Sequence, residues 1–416
     1  MSTTLDGAHT TSADTTSARE LALRAELVAR ATAMHPVLRE YIAQAEQERR
    51  LPQASVDALT EAGMLRLLTP KRFGGHEVGL RTYLDVTAEI ARSGCSASAW
   101  YAFILNQSDW VLGTLQDEAQ QAVWHTGPDT KLCAQLNPMG PVEITPVDGG
   151  VRLSGRWGFA SAGLHSTWTI FGWPVIDERG APVDLKIGLV RIADLTLEDT
   201  WYCAGMAGTG SNTFVACDVF IPDEYQSVIS LALSHQYPTP HKDEYAYQQN
   251  AAGIYSLAAL PPALGLAQAA LEQTLAKLAR GGKSISYTRY ADSSKAPTTQ
   301  LAVAQSATLI DCAFLQARAA ADELDAVART GRDMSPLDSA KNRMRVANAA
   351  RNVREAVDLL LNVQGAGSFA LANSLQRLWR DINTCTRHGL VNPEMNHEVY
   401  GRALVGADEQ QMHLLM

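Results

Sequence analysis

The sequence is poor in the signatures of metal, disulfide and nucleic-acid proteins. Six cysteines (Cys95, Cys133, Cys203, Cys217, Cys312 and Cys385) are scattered with no CxxC pair. That excludes a zinc ribbon and points to buried thiols in a reducing compartment rather than a disulfide framework. Ten histidines include no HExxH, so no metal site is expected. No GxSxG is present, which argues against the nucleophile elbow of an α/β-hydrolase. Basic residues number 35 against 44 acidic ones, a net charge of −9. A nucleic-acid partner needs a basic face and is not expected. No run of ~18 uninterrupted apolar residues occurs, so no membrane span is expected. Residues 1–18 are rich in Thr, Ser, Ala and Asp and have neither a basic stretch nor an apolar one. They read as a mobile tail rather than a secretory signal, and the expected location is the cytoplasm.

Apolar material is plentiful. Of 416 residues, 46% are hydrophobic and 19% charged, enough for a sizeable core. Three zones differ in period. Residues 19–130 keep apolar residues three and four apart, as in Leu21, Leu23, Leu27, Val28 and Ala31. This spacing predicts helices, with a stop before Pro52. The stretch SASAWYAFILNQSDWVLGTL is apolar all round and predicts a buried helix. Residues 131–230 change to period two. TWTIFGWPV, LKIGLVRI and TFVACDVFIPD read as strands, and Asp148-Gly149-Gly150 as a hairpin turn. Residues 231–416 return to helix, with Ala-rich stretches 251–281, 299–331, 336–364 and 371–388 long enough for a four-helix bundle. The expected class is α+β: an N-terminal helical domain, a central β domain and a C-terminal helical bundle.

Two glycine motifs carry little. Gly365-Ala366-Gly367-Ser368-Phe369-Ala370 matches GxGxxA, but a dinucleotide fingerprint needs a preceding strand, and REAVDLLLNVQ before it is helical. Gly208-Thr209-Gly210-Ser211 lies between strands and lacks the rest of a P-loop.

GRWGFASAG at 155–163, GMAGTGSNTFVACDVFIPD at 205–223 and LQRLWRDINTCTRHGLVNPEMNHEVYGRALVG at 375–406, in this helical–β–helical order, resemble the acyl-CoA dehydrogenase fold. They are closer to its flavin-dependent monooxygenase branch, which includes the oxygenase components of p-hydroxyphenylacetate hydroxylase and oxygenases of steroid phenols, indoles, aromatic polyketides and amino sugars. The resemblance covers about residues 20–410. It implies a central β-barrel or sandwich, and a two-component enzyme using reduced flavin (FADH2 or FMNH2) and O2. The flavin would act through a C4a-hydroperoxide to hydroxylate an aromatic or heteroaromatic molecule. A separate NAD(P)H:flavin reductase is implied as supplier of reduced flavin by diffusion, and a homotetramer as the assembly.

The resemblance also implies site residues. Phe159 and Trp157 would lie against the isoalloxazine, with Ala160 between Phe159 and Ser161, and Ser161 near flavin N5. Asn137 and Met139 fall where the β domain approaches the flavin, and Thr209, Gly210 and Ser211 line the same pocket. Arg289 matches a segment that meets flavin phosphate. Gln364 and Gly365 match the flavin-proximal turn, supplied by a neighbouring chain. Dehydrogenases often place a catalytic Glu after an Arg-Asp pair like Arg380-Asp381. Here the stretch reads Thr386-Arg387-His388-Gly389, so the base for an acyl thioester is missing. His388 takes the place of the monooxygenase histidine, contacting substrate and moving a proton near neutral pH. Phenol hydroxylases commonly carry a histidine before the Trp matching Trp110. This chain has Asn106-Gln107-Ser108-Asp109-Trp110, so Ser108 and Trp110 are the expected substrate contacts. Local roles compete with these: a backbone-bonding hydroxyl for Ser161, a helix-end cap for His388, and core packing for Trp110. An acyl-CoA dehydrogenase or oxidase, or an amino-sugar N-oxygenase, is the alternative function.

Overall fold

A computed structural model describes residues 12–249, 251–331 and 334–407. Helix begins at Ser12, inside the expected tail; residues 1–11 of that tail lie outside the described residues. The helix expected to run unbroken toward Pro52 is instead three: Ser12–Ala33, His35–Glu40 and Ile42–Glu48. Pro36 explains the first break. It has no N–H, and its ring would collide with the carbonyl four residues back, so it starts a new helix.

Ser96–Gly113 is the central helix of the N-terminal zone, and nearly all its side chains are buried. Its polar residues are therefore bonded inward. Asn106 accepts from the backbone N–H of Leu67 and Leu68 (2.5 and 3.1 Å) and donates to the carbonyls of Met64 and Ala102 (2.9 and 2.7 Å).

The helix Leu80–Arg92 begins after Gly79, which has no side chain to cap it. Asp325, from the C-terminal helix Pro297–Thr330, does so instead. It accepts from Leu80 N (2.7 Å), Arg81 N (3.0 Å) and the Tyr245 hydroxyl (3.0 Å). A Cβ on residue 79 would stand 2.7 Å from the Asp325 carboxylate, so the glycine is required by close approach. Burial raises the Asp325 carboxyl above its usual range. Asp325→Ala leaves two helix donors and a phenol unpaired, and should cost about 2 kcal/mol by denaturant unfolding.

Eight strands form the middle: β1 Leu132–Gln135, β2 Glu143–Val147, β3 Gly150–Ala160, β4 Trp168–Ile176, β5 Pro182–Arg191, β6 Thr196–Glu198, β7 Asn212–Pro222 and β8 Gln226–Val228. The three strands and the hairpin turn expected from period two are all present. One sheet has the order β1-β4-β5-β8 and the other β2-β3-β7-β6. Only β1–β4 is a parallel pair. Between the sheets lies a separate core of Leu153, Trp157, Ala160, Phe171, Trp173, Phe214 and neighbours.

The C-terminal zone holds the helices Ala251–Ala258, Pro261–Ala279, Pro297–Thr330, Pro336–Gln364, Ser374–Cys385 and Pro393–Val405. The first expected stretch splits before Pro261-Pro262, and the last helix is additional to the four expected. Ala251–Ala279 is apolar enough to cross a membrane by composition, but it is almost wholly buried in this core. Cys95, Cys133 and Cys385 are buried thiols as expected, whereas Cys203, Cys217 and Cys312 are exposed.

Candidate active site

The site grows out of the way β3 ends. Pairing of β3 with β7 shifts register between Trp157 and Ala160. Phe159 and Ala162 adopt φ of 56° and 63°. Left-handed backbone costs a non-glycine residue of order 1–3 kcal/mol and clusters where a side chain must be re-aimed. Here the bulge turns Phe159 outward, 70% exposed and edge-on to Trp201 (5.8 Å between centroids), and turns Ser161 inward, 4% exposed.

Ser161 Oγ accepts from the indole N–H of Trp100 at 3.1 Å. It lies 2.6 Å from Ser211 Oγ, which lies 2.7 Å from Thr209 Oγ1, and Thr209 donates to the Met206 carbonyl at 2.8 Å. The loop carrying Thr209 and Ser211 is fixed from two sides. Gly208 packs where a Cβ would stand 3.0 Å from those of Ala45 and Ala97. Met206 N donates to Asp381 at 2.6 Å, and the other Asp381 oxygen accepts from Ser96 Oγ at 2.6 Å. Asp381 thus ties the helix Ser374–Cys385, the start of Ser96–Gly113 and the hydroxyl-bearing loop together. Its burial raises its carboxyl above the usual range.

His388 enters from the segment after Ser374–Cys385. Its ring stands edge-on to Trp100 (6.0 Å) and Phe103 (6.2 Å), so Trp100 bridges Ser161 and His388. The residue is exposed to water, yet the surrounding protein desolvates the ring and lowers its pKa to about 4. The ring is open to solvent on one side and packed against the two aromatic rings on the other. His388 therefore does not titrate near neutrality, as the sequence suggested; it is neutral there. Its Nδ1 accepts from Leu390 N–H at 3.3 Å, which leaves the proton on Nε2.

Other expected residues fall elsewhere. Trp157 is corrected: its side chain is fully buried between the sheets, stacked on Phe171 (4.0 Å) and donating to the Gly172 carbonyl at 2.9 Å. Ala160 is likewise a sandwich-core residue. Ser108 is fully buried with its hydroxyl committed to the Ile104 carbonyl at 2.6 Å, and Trp110 is core, edge-on to Tyr255 (5.4 Å). Neither side chain is open to solvent in this structure. Asn137 and Met139 are exposed, and Met139 Sδ covers Gly158 so closely that a Cβ there would meet it at 2.4 Å. Gly210, at φ 56°, continues the hydroxyl loop. Arg289 lies on an exposed loop. Gln364, bonded to Lys277, Thr274 and Asn373, and Gly365, at φ 65°, end the helix Pro336–Gln364. The contacts within one chain do not join Arg289, Gln364 or Gly365 to Ser161. Trp100 was missed because it sits in a helix that is apolar on every side, where periodicity marks no face.

These residues fit a flavin. Phe159, beside Trp201, and Met139, over Gly158, are exposed apolar side chains next to the buried Ser161 hydroxyl, which Trp100 and Ser211 hold. The carboxylate that would serve an acyl thioester is replaced by a neutral imidazole.

Comparison with known proteins agrees. Residues 20–127 match the acyl-CoA dehydrogenase N-terminal domain and residues 257–393 its C-terminal domain. The chain is 30% identical to the oxygenase component of an FADH(2)-dependent resorcinol hydroxylase from Rhizobium sp. (strain MTP-10005), over 92% of this chain and 94% of that protein. It is 29% identical to the flavin-dependent monooxygenase oxygenase subunit HsaA of Rhodococcus jostii (strain RHA1), over 91% of this chain and 97% of that protein. XiaF from Streptomyces sp., solved with FADH2 and glycerol, superposes with a TM-score of 0.87 at 32% identity, covering 94% of this chain and 98% of that one. The chain belongs to the flavin-dependent monooxygenases of the acyl-CoA dehydrogenase fold.

Proposed function

We propose that this chain is the oxygenase component of a two-component system, taking reduced flavin from a separate reductase and oxygenating an aromatic or heteroaromatic molecule. The observation that carries this reading is the pairing of Ser161 with His388 through Trp100, with no carboxylate on the 386–389 segment. When bound, reduced flavin supplies the activation of O2. The protein's own residues do the rest. Ser161 holds the N5 hydrogen, Trp100 and Phe103 keep the surroundings of His388 apolar, and His388 offers Nε2–H to an oxygen of substrate or oxidant. Relatives named for resorcinol, p-hydroxyphenylacetate and indole-3-acetate support a compact aromatic substrate.

The functional test is reductase dependence. With NADH, flavin and O2, a probe set of resorcinol, p-hydroxyphenylacetate and indole should yield oxygenated product only when a flavin reductase is added. Bleaching of bound oxidised flavin by an acyl-CoA thioester would favour the dehydrogenase reading.

We further propose that the chain is a cytoplasmic homotetramer assembled through its C-terminal helices. Leu301, Leu315, Phe369, Leu371, Leu404 and Val405 are exposed apolar residues, all in that zone. Closed symmetric assembly would cover them and bring a neighbour's Gln364–Gly365 turn to the flavin. Light scattering at micromolar concentration should give the mass of four chains, and a monomer would contradict it.

A further inference from the structure

We infer that Thr209 and Ser211 fix the polarity of Ser161 by taking its one proton, leaving it only an acceptor toward the flavin, so that the site selects reduced over oxidised flavin. This rests on the reading that Ser161 faces flavin N5.

The polarity follows from counting protons. Trp100 Nε1 can only donate, so Ser161 Oγ must accept there. At the other end the Met206 carbonyl, which also accepts from the Trp201 indole N–H (3.0 Å) and the Thr209 backbone N–H (3.1 Å), can only accept, so at 2.8 Å the Thr209 hydroxyl donates to it. Thr209 has then used its one proton, and its contact with Ser211 must run from Ser211 to Thr209. Ser211 in turn has used its proton, so the 2.6 Å contact must run from Ser161 to Ser211. Every hydroxyl in the chain is satisfied in this direction. Reversal would set the lone pairs of Thr209 against the Met206 carbonyl at 2.8 Å. It would also leave the Ser161 proton only the Phe159 carbonyl at 3.4 Å, which already accepts the Ser161 backbone N–H at 2.7 Å.

Ser161 Oγ is left with one lone pair and no proton to offer. Reduced flavin carries a hydrogen on N5 and donates to that lone pair. Oxidised flavin has a bare nitrogen at N5, which would face an oxygen unable to donate. All four groups are nearly or fully buried, so water cannot easily replace the mismatched bond. Thr209 and Ser211 are positioning residues: they act on the flavin through Ser161. Trp100 holds the oxygen in place without setting its polarity.

The test is an anaerobic titration of the purified protein with FADH2 and FMNH2, and an aerobic one with FAD and FMN, read by flavin absorbance and fluorescence. The quantity is the ratio of oxidised to reduced Kd. Thr209→Val removes the acceptor of the Ser211 proton, and Ser211→Ala removes the acceptor of the Ser161 proton. Either frees Ser161 to donate to oxidised N5, and each should shrink the ratio about tenfold, the value of one buried hydrogen bond. Thr209→Ser keeps the chain and should keep the ratio. Melting temperatures confirm that each variant is folded, and two independent variants guard against the loss of one. Ser161→Ala separates the two ideas. If it weakens reduced-flavin binding while Thr209→Val and Ser211→Ala leave the ratio unchanged, the polarity inference is overturned and the placement of Ser161 stands. If Ser161→Ala changes neither Kd, the placement of Ser161 at N5 fails as well.

Discussion

His388→Ala should keep the fold and reduced-flavin binding and lose at least about tenfold in oxygen transfer, the low end of what a positioned proton donor supplies. Its imidazole sits against the Trp100 and Phe103 rings with a pKa lowered to about 4, so it works as a neutral Nε2–H donor. Two readouts follow that a merely structural histidine would not give. First, the rate of oxygen transfer should be level from about pH 6 to 8, because the group does not change charge there; an inflection near 6.5 would show a titrating acid instead. Second, His388→Gln, which keeps a neutral N–H donor, should recover part of the lost rate. The same pKa shift bears on stability. The folded value lies below the unfolded 6.5, so the unfolded chain binds the proton more readily, and stability falls as pH drops from about 6.5 toward 4. His388→Ala should flatten part of that acid loss. The His388 Nδ1 also caps the short turn Gly389–Val391, and a role confined to that cap predicts a lower melting temperature at neutral pH with normal turnover per folded molecule.

Ser161→Ala should bind flavin more weakly and release hydrogen peroxide in place of product. The hydroxyl is the polar group the bulge of β3 turns inward, and it is held by Trp100 and Ser211. Without it the N5 hydrogen has no acceptor, and loss of that hydrogen is what lets oxygen leave as peroxide. One buried hydrogen bond shifts the ratio of peroxide to product by about tenfold. Measuring both per reduced flavin consumed decides the matter, and unchanged coupling would make Ser161 a structural residue.

Much of the fold was legible because its signals are local. The change of period from three-and-four to two, and back, marks the strands from Leu132 to Val228 between two helical zones. Ser161 and His388 were legible through motif resemblance. Trp157 was misplaced for a specific reason. Strict alternation puts residues 157, 159 and 161 on one face, but the register shift between Trp157 and Ala160 breaks that parity. Trp157 and Ala160 go into the sandwich, Phe159 goes out, and Ser161 turns toward the helices. A bulge of this kind depends on how β3 meets β7, where Trp157 pairs with Phe214 and Ala160 with Asn212, and leaves no mark in β3 alone. The burial of Ser108 and Trp110 was not legible because an all-apolar helix shows no preferred face. The pKa of His388 depends on the rings packed around it from another zone of the chain, and the roles of Trp100 and Asp381 are visible only once three segments meet.

The most direct measurement of the central claim is a single turnover under ¹⁸O2. The protein is loaded anaerobically with one equivalent of reduced flavin and a phenolic or indolic probe it binds, then mixed with labelled oxygen. The account predicts one ¹⁸O atom in the organic product, with less hydrogen peroxide than the same reaction of Ser161→Ala. Stoichiometric hydrogen peroxide, with no label in any probe that binds, would contradict it.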